Sequence, residues 1–173
     1  MWAIIRSAVT LENYLQEEAM ADKKISILLP TRGRTEVLKT SIMTLLDNVN
    51  DPTCLELLFG LDEDDNTVIE YIKTEIAPIL QEQGVESRAN IFKPLGYENL
   101  HNYVNTLAQS ATGEWLFFWN DDCLMQTKDW DTVINSYTGQ FKLLAPKDNH
   151  NGHPYAILPI IPRDWFILIG HLS

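Results

Sequence analysis

The chain has 173 residues, 45% hydrophobic and 21% charged, with 24 Asp and Glu against 13 Lys and Arg for a net charge of −11. This length suits one domain around one sizeable core, and the composition excludes disordered, collagen-like and disulfide-scaffold classes. The acidic balance repels nucleic-acid phosphates and anionic membrane surfaces, so no nucleic-acid partner is expected; a phosphate-bearing ligand stays open wherever a cation and backbone N–H groups neutralise it locally.

In chain order, Ile4, Ala8, Leu11 and Leu15 recur at helical spacing and predict an N-terminal helical appendage over residues 1–22. The run Met1-Trp2-Ala3-Ile4-Ile5 is cut by Arg6, too short for a membrane span and poorly formed for a signal peptide. With only Cys54 and Cys123, far apart and without zinc-finger spacing, the expectation is a cytoplasmic protein with reduced thiols.

The apolar run Ile25–Leu29 predicts a strand buried on both faces, ended by Pro30, and Leu38, Ile42, Leu45, Leu46 and Val49 predict a helix. A second apolar run, Leu55–Leu61, precedes the acidic stretch Asp62-Glu63-Asp64-Asp65. Ile69, Ile72, Ile76 and Ile79 restore the helical period, with Pro78 expected to kink or end that helix. A short strand at Ile91-Phe92, a helix from Tyr97 to Ala111 stopped by Gly113, and a strand Trp115–Trp119 follow. The remainder reads as a helix near Trp130–Tyr137, strands near Phe141–Ala145 and Ile157–Ile161, and a helix from Arg163 to Gly170. Alternating strands and helices indicate an α/β fold with a mainly parallel central sheet flanked by helices.

In such sheets ligands bind beyond the carboxyl ends of the strands. Three polar clusters fall there: Pro30-Thr31-Arg32-Gly33-Arg34, Asp62–Asp65, and Asn120-Asp121-Asp122. The last leaves an aromatic strand as two adjacent carboxylates and an amide. Their repulsion favours a cation between them, and a hard metal such as Mg²⁺ or Mn²⁺ takes one or two carboxylates plus substrate phosphates. A turn or helix cap explains the same residues about as well. Asp64 and Asp65 suit a cap on the next helix, whereas Asp62, first after its strand, is the one to face a base or ribose. The two arginines serve either a nucleotide or a solvated surface. His150-Asn151-Gly152-His153 reads as a surface loop rather than a zinc site. The five Trp are mostly core, with Trp119 and Trp165 next to rim segments where a sugar stacks.

Taken together, Ile25–Arg34 resembles the opening strand and Pro-Thr-x-x-Arg turn of the family-two, GT-A-type glycosyltransferases of the nucleotide-diphospho-sugar transferase superfamily. Ala111–Asp122 resembles that family's Ala-x-Gly-Glu-aromatic strand and Asp-x-Asp motif, Leu57–Asp62 its strand ending in a base-binding Asp, and Asn105 its helix Asn. The resemblance implies a GT-A fold (Rossmann-like) over residues 23–173, a nucleoside diphosphate sugar donor, UDP-linked, and Mn²⁺ or Mg²⁺. By that implication Pro30, Thr31, Arg32, Arg34, Asp62, Asn99, Asn120 and Asp121 bind the nucleotide and Asp122 the metal. Asn120 stands where the motif has its first acid, which removes one negative charge from the metal site. The helix Tyr97–Ala111 lacks the phosphate-binding Arg of many relatives, with Asn99 or His101 as weak substitutes. Pro162–His171 resembles the segment before the family's catalytic acid, so the catalytic base is unassigned and the C-terminal acceptor region is expected to be missing. The activity implied is inverting transfer of a sugar to a hydroxyl acceptor. The alternatives are a catalytically weak sugar-nucleotide-binding module, and a nucleotidyltransferase, for which the expected Gly-rich basic loop is not found.

Overall fold

The computed structural model describes residues 25–147 and 158–172, so the expected N-terminal helix and the His150–His153 loop lie outside the described residues. Five strands, β1 (Ile25–Pro30), β2 (Leu55–Asp62), β3 (Glu86–Phe92), β4 (Trp115–Phe118) and β5 (Ile160–Pro162), form one sheet in the order β3-β2-β1-β4-β5. The first four run parallel and only β5, paired with β4, is antiparallel. Six α-helices are described, α1 (Thr35–Asn48), α2 (Asn66–Tyr71), α3 (Ala77–Glu82), α4 (Leu100–Ser110), α5 (Trp130–Asn135) and α6 (Arg163–Ile169), with single turns of 3-10 helix at Pro52–Cys54 and Tyr97–Asn99 and of π-helix at Ile72–Ile76.

The apolar runs of β1, β2 and β4 are buried because alternate residues feed two cores. Ile25, Ile27 and Leu29, with Leu57, Phe59 and Phe117, pack against α1 through Leu38, Ile42 and Leu45, and against α2, α3 and α5. Leu28, Leu58 and Leu116 pack against α4 through Val104, Leu107 and Ala108, and against Phe166 of α6. Each fully buried side chain of this size contributes roughly 2 kcal/mol by removal from water. A sheet covered on both faces needs continuous rather than alternating hydrophobicity in its strands.

Several elements differ from the sequence expectation for physical reasons. β3 starts at Glu86, well before Ile91, because it is the sheet edge and stays largely exposed, so polar residues suffice for its outer turns. The helix carrying Pro78 neither ends nor breaks there. Residues Ile72–Ile76 wind as π-helix, with Ala77 N–H reaching Ile72 O, and Pro78 then occupies the first turn of α3, where its missing N–H leaves no donor unsatisfied. The Phe141–Ala145 strand reduces to a single bridge, Leu144 to Ile160. Gly113 lies beyond the end of α4 rather than capping it: its N–H donates to Ser26 Oγ (2.9 Å) and Glu56 Oε1 (3.0 Å).

Glu56 sits inside the apolar run of β2 and is fully buried near the end of the sheet remote from the carboxyl ends. Its carboxylate accepts from Ser26 Oγ, Arg88 Nη2, Thr112 N–H (2.6 Å), Thr112 Oγ1 (3.0 Å) and Gly113 N–H, so it ties β1, β2, β3 and the turn before β4 together. Burial alone pushes its pKa up, but the donors outweigh burial and hold it below the usual carboxylate value.

Candidate functional site

Because β1, β2 and β4 are parallel, their carboxyl ends share one rim, and the three polar clusters emerge there side by side. The chain steps from β1 outward to β2 and β3, then returns to β4 on the other flank of β1. The crevice between β1 and β4 is therefore the topological switch point, where open α/β sheets bind ligands. Thr31, leaving β1, and Asp121, leaving β4, face each other across it: Thr31 Oγ1 donates to Asp121 Oδ2 at 2.6 Å, with both residues buried.

The turn after β1 carries two guanidinium groups, and each is matched to one acidic cluster. Arg32 bonds Asp62 Oδ2 and takes Asp64 in a forked pair, Nη1 to Oδ1 at 2.6 Å and Nη2 to Oδ2 at 3.0 Å. Arg34 bonds Asp121 Oδ1 through Nη2 and Asp122 Oδ2 through Nη1, the latter at 3.1 Å. Gly33, between them, has φ of 72°, a left-handed conformation glycine adopts without Cβ strain. Its N–H donates to Asp65 Oδ2 at 2.7 Å, while the other oxygen of Asp65 caps α2 by accepting Val68 N–H at 3.2 Å. The cap reading of the acidic stretch thus holds for Asp65, and Asp64 serves Arg32. The bond from Arg32 lowers the pKa of Asp64, and the bonds to Asp64 and Asp62 raise that of Arg32.

Asp62 is buried, and its second oxygen accepts from the Tyr103 hydroxyl on α4. That hydroxyl accepts the Leu95 N–H at 2.9 Å, and the Tyr103 ring lies 4.6 Å from Phe92 at the end of β3. Burial first, then the bond to Asp62, raises the Tyr103 pKa, so the hydroxyl stays protonated and donating. Tyr103 escapes a sequence reading because its position on the apolar face of α4 marks it only as core.

The remaining expected residues are placed as follows. Pro30 ends β1 in register with Gly60 of β2. Asn120 is half-buried, and its carbonyl accepts Cys123 N–H at 3.1 Å, so Asn120–Cys123 is a turn as well as a cluster. Asn99 lies at the start of α4 and bonds Leu95 O at 2.7 Å, bracing the Leu95–Asn99 loop. Trp119 is buried, with Nε1 donating to Ser41 Oγ at 2.8 Å, which makes it core rather than a sugar platform. Trp165 stacks on Phe141 with centroids 5.3 Å apart. It follows Arg163, whose N–H reaches Glu114 O at the far end of β4 from the rim. Trp165, His101 and Phe118 line an apolar cleft of about 470 Å³ between α4 and α6.

No group of three or more His, Cys, Asp or Glu poised for a metal occurs among the described residues. Asp121 and Asp122 are two adjacent carboxylates, and Mg²⁺ or Mn²⁺ is commonly held by one or two carboxylates with phosphate oxygens completing its shell. The two carboxylates share one cation, the Arg34 guanidinium.

No family model and no curated protein matches the sequence. Solved structures do match. A mannosyltransferase from Pyrobaculum calidifontis, in complex with GDP-Man and Mn²⁺, aligns with a TM-score of 0.70 and 12% identity over 94% of this chain and 55% of its own. S. aureus TarS aligns in complex with UDP, TM-score 0.64, and with UDP-GlcNAc, TM-score 0.63, each at 12% identity and 87% of this chain. The chain spans about half the length of these structures. The fold is accordingly of the GT-A type, with the sheet and flanking helices that the sequence resemblance implies.

Proposed function

We propose that the chain is a nucleotide-sugar-dependent glycosyltransferase domain that takes a UDP-linked sugar and transfers it, with inversion, to a hydroxyl acceptor. The observation that carries this reading is the convergence of Asp62, Asp121 and Asp122 on the Thr31–Arg34 turn at the switch point of a GT-A sheet. The ligands of the structural neighbours, GDP-Man with Mn²⁺ and UDP-GlcNAc, support a nucleoside diphosphate donor. Asp62, oriented by Tyr103, takes the base or ribose; Thr31, Asn120 and Asp121 take the ribose and phosphates; Arg32 and Arg34 offer cations to the diphosphate; Asn99 stands at the rim end of α4.

Asp122, half-exposed, would hold Mn²⁺ or Mg²⁺, with the adjacent Asp121 adding negative charge. The ion, when bound, offsets charge developing on the departing diphosphate. The acceptor oxygen bonds to the anomeric carbon as the bond to the diphosphate breaks, and its proton passes to a base. The sparse, unpatterned cysteines support a reducing, cytoplasmic setting.

A second reading, a sugar-nucleotide-binding module with little turnover, is favoured by one observation. Asp62, Asp64, Asp121 and Asp122 are each held by an arginine, so none of them stands ready as the base. A thermal-shift titration tests both readings at once. UDP with Mn²⁺ should raise the Tm, by several degrees at saturating ligand, because a ligand bound only by the native state stabilises it by mass action. No shift with any nucleoside diphosphate and metal at millimolar concentration would refute both, and release of free UDP from the donor separates enzyme from module.

A further inference from the structure

We infer that Arg34 is the resident counter-ion of the Asp121–Asp122 site, which a divalent cation must displace and which then turns to the diphosphate. The inference rests on the proposed nucleotide-sugar site and assigns this arginine a role in setting its metal affinity and its order of filling.

The geometry supports it in three steps. Asp121 is 2% exposed, and a carboxylate so far out of water must be compensated by charge or hydrogen bonds. Thr31 Oγ1 serves its Oδ2, and the Arg34 guanidinium serves its Oδ1. The other arm of the same fork reaches Asp122 Oδ2 at 3.1 Å. One planar cation therefore spans the two carboxylates, and a dication drawn to the same oxygens, Asp121 Oδ1 and Asp122 Oδ2, would compete with it for them. Secondly, Arg34 is half-exposed, with 51% of its side chain accessible, and lies immediately before α1 on the backbone side of Gly33. Its head can swing into solvent without unpacking the core, since Leu38, the first buried residue of α1, is a full turn further on. Thirdly, Asp121, Asp122 and Arg34 together carry one net negative charge, which attracts a dication weakly. Adding the diphosphate changes the balance: its negative charge receives the released guanidinium while its oxygens complete the metal's coordination. Metal and nucleotide should then bind with positive coupling, and linkage requires each to tighten the other by the same factor.

Arg32 makes a parallel arrangement with Asp62 and Asp64, but these lie at the end of β2 and leave Asp121 and Asp122 untouched. Arg34 can therefore be tested alone.

The experiment measures Mn²⁺ binding to the full chain by electron paramagnetic resonance without nucleotide, and UDP binding with and without Mn²⁺ by calorimetry, for wild type, Arg34→Gln and Asp122→Asn. Loss of a half-exposed ion pair that competes with the metal should tighten Mn²⁺ alone by about fivefold in Arg34→Gln. The same variant should weaken UDP in the presence of Mn²⁺ and reduce the metal–nucleotide coupling. An unaltered or weaker Mn²⁺ affinity in Arg34→Gln, with Asp122→Asn abolishing Mn²⁺ binding, overturns the role of Arg34 and leaves the metal site standing. Absence of Mn²⁺ binding in wild type and Arg34→Gln, with UDP present or not, overturns the metal reading and this inference together. A folding defect is separable, because Mg²⁺ titration of wild type followed through the guanidinium NMR resonances must show Arg34 passing from hindered to free rotation. Continued hindered rotation at saturating Mg²⁺ would overturn displacement without recourse to a variant.

Discussion

At the scale of single residues, the two acidic positions at the rim differ in burial and in partners, and so should fail differently. Asp122 is exposed and holds only one arm of Arg34, so Asp122→Asn should change stability by less than about 0.5 kcal/mol. It should nonetheless abolish metal-dependent UDP binding in calorimetry. Asp62 is buried, accepts from Tyr103 and Arg32, and is the residue proposed to take the nucleoside rather than the ion. Asp62→Asn should therefore weaken UDP by roughly tenfold or more, with and without Mn²⁺, as expected for loss of a charge-assisted hydrogen bond. Normal metal-dependent binding by Asp122→Asn would return Asn120-Asp121-Asp122 to a structural turn, a part its backbone already plays through the Asn120 O to Cys123 N–H bond.

At the scale of elements, the turn between β1 and α1 determines how the site is assembled. Its two arginines point at different acidic loops because Gly33 reverses the backbone between them, at φ of 72°, and ties itself to the cap of α2 through Asp65. A Cβ at Gly33 would meet no atom within 4 Å, so the cost of Gly33→Ala lies in the backbone conformation alone. That cost is about 1 kcal/mol for an L-residue in the left-handed region. Urea unfolding should register a loss of this size, and UDP affinity should fall as Arg32 and Arg34 lose their alignment. A variant as stable as wild type would mean the turn relaxes freely and does not orient the arginines.

At the scale of the whole molecule, the two ends of the sheet are held by opposite strategies. The rim carries exposed arginines against acids, whereas the opposite end is closed by one buried carboxylate, Glu56, with five donors around it. Its pKa is lowered in the folded protein relative to an unfolded value of about 4.3. A group of this kind contributes its full stability above the unfolded pKa and loses it as pH falls through the folded pKa, since the unfolded chain then binds the proton more readily. Stability measured by urea unfolding should thus fall as pH drops below about 4. Glu56→Gln should lower stability at neutral pH by about 2 kcal/mol or more, because an amide turns an N–H₂ towards donors, and should flatten this acid limb. An unchanged acid limb in Glu56→Gln would assign it to the other carboxylates.

The sequence by itself determined the order and type of the main elements, because a sheet covered on both faces demands the continuous apolar runs seen in Ile25–Leu29, Leu55–Leu61 and Trp115–Phe118. It also placed the polar clusters at the strand ends, since a polar residue following such a run has nowhere to go but the rim. Edge strand β3 and the π-helical turn before Pro78 were not legible, because an exposed edge has no apolar signature and a one-residue shift of helical hydrogen bonding leaves the apolar period intact. Pairing is what only the tertiary structure decided. That Arg34 reaches Asp121 and Asp122 while Arg32 reaches Asp62 and Asp64, that Tyr103 orients Asp62, and that Glu56 is buried rather than a flaw in a strand all depend on contacts between residues 30 or more apart in the chain. Local periodicity carries no information about such contacts, which are set by strand register and by which flank of β1 each later strand joins.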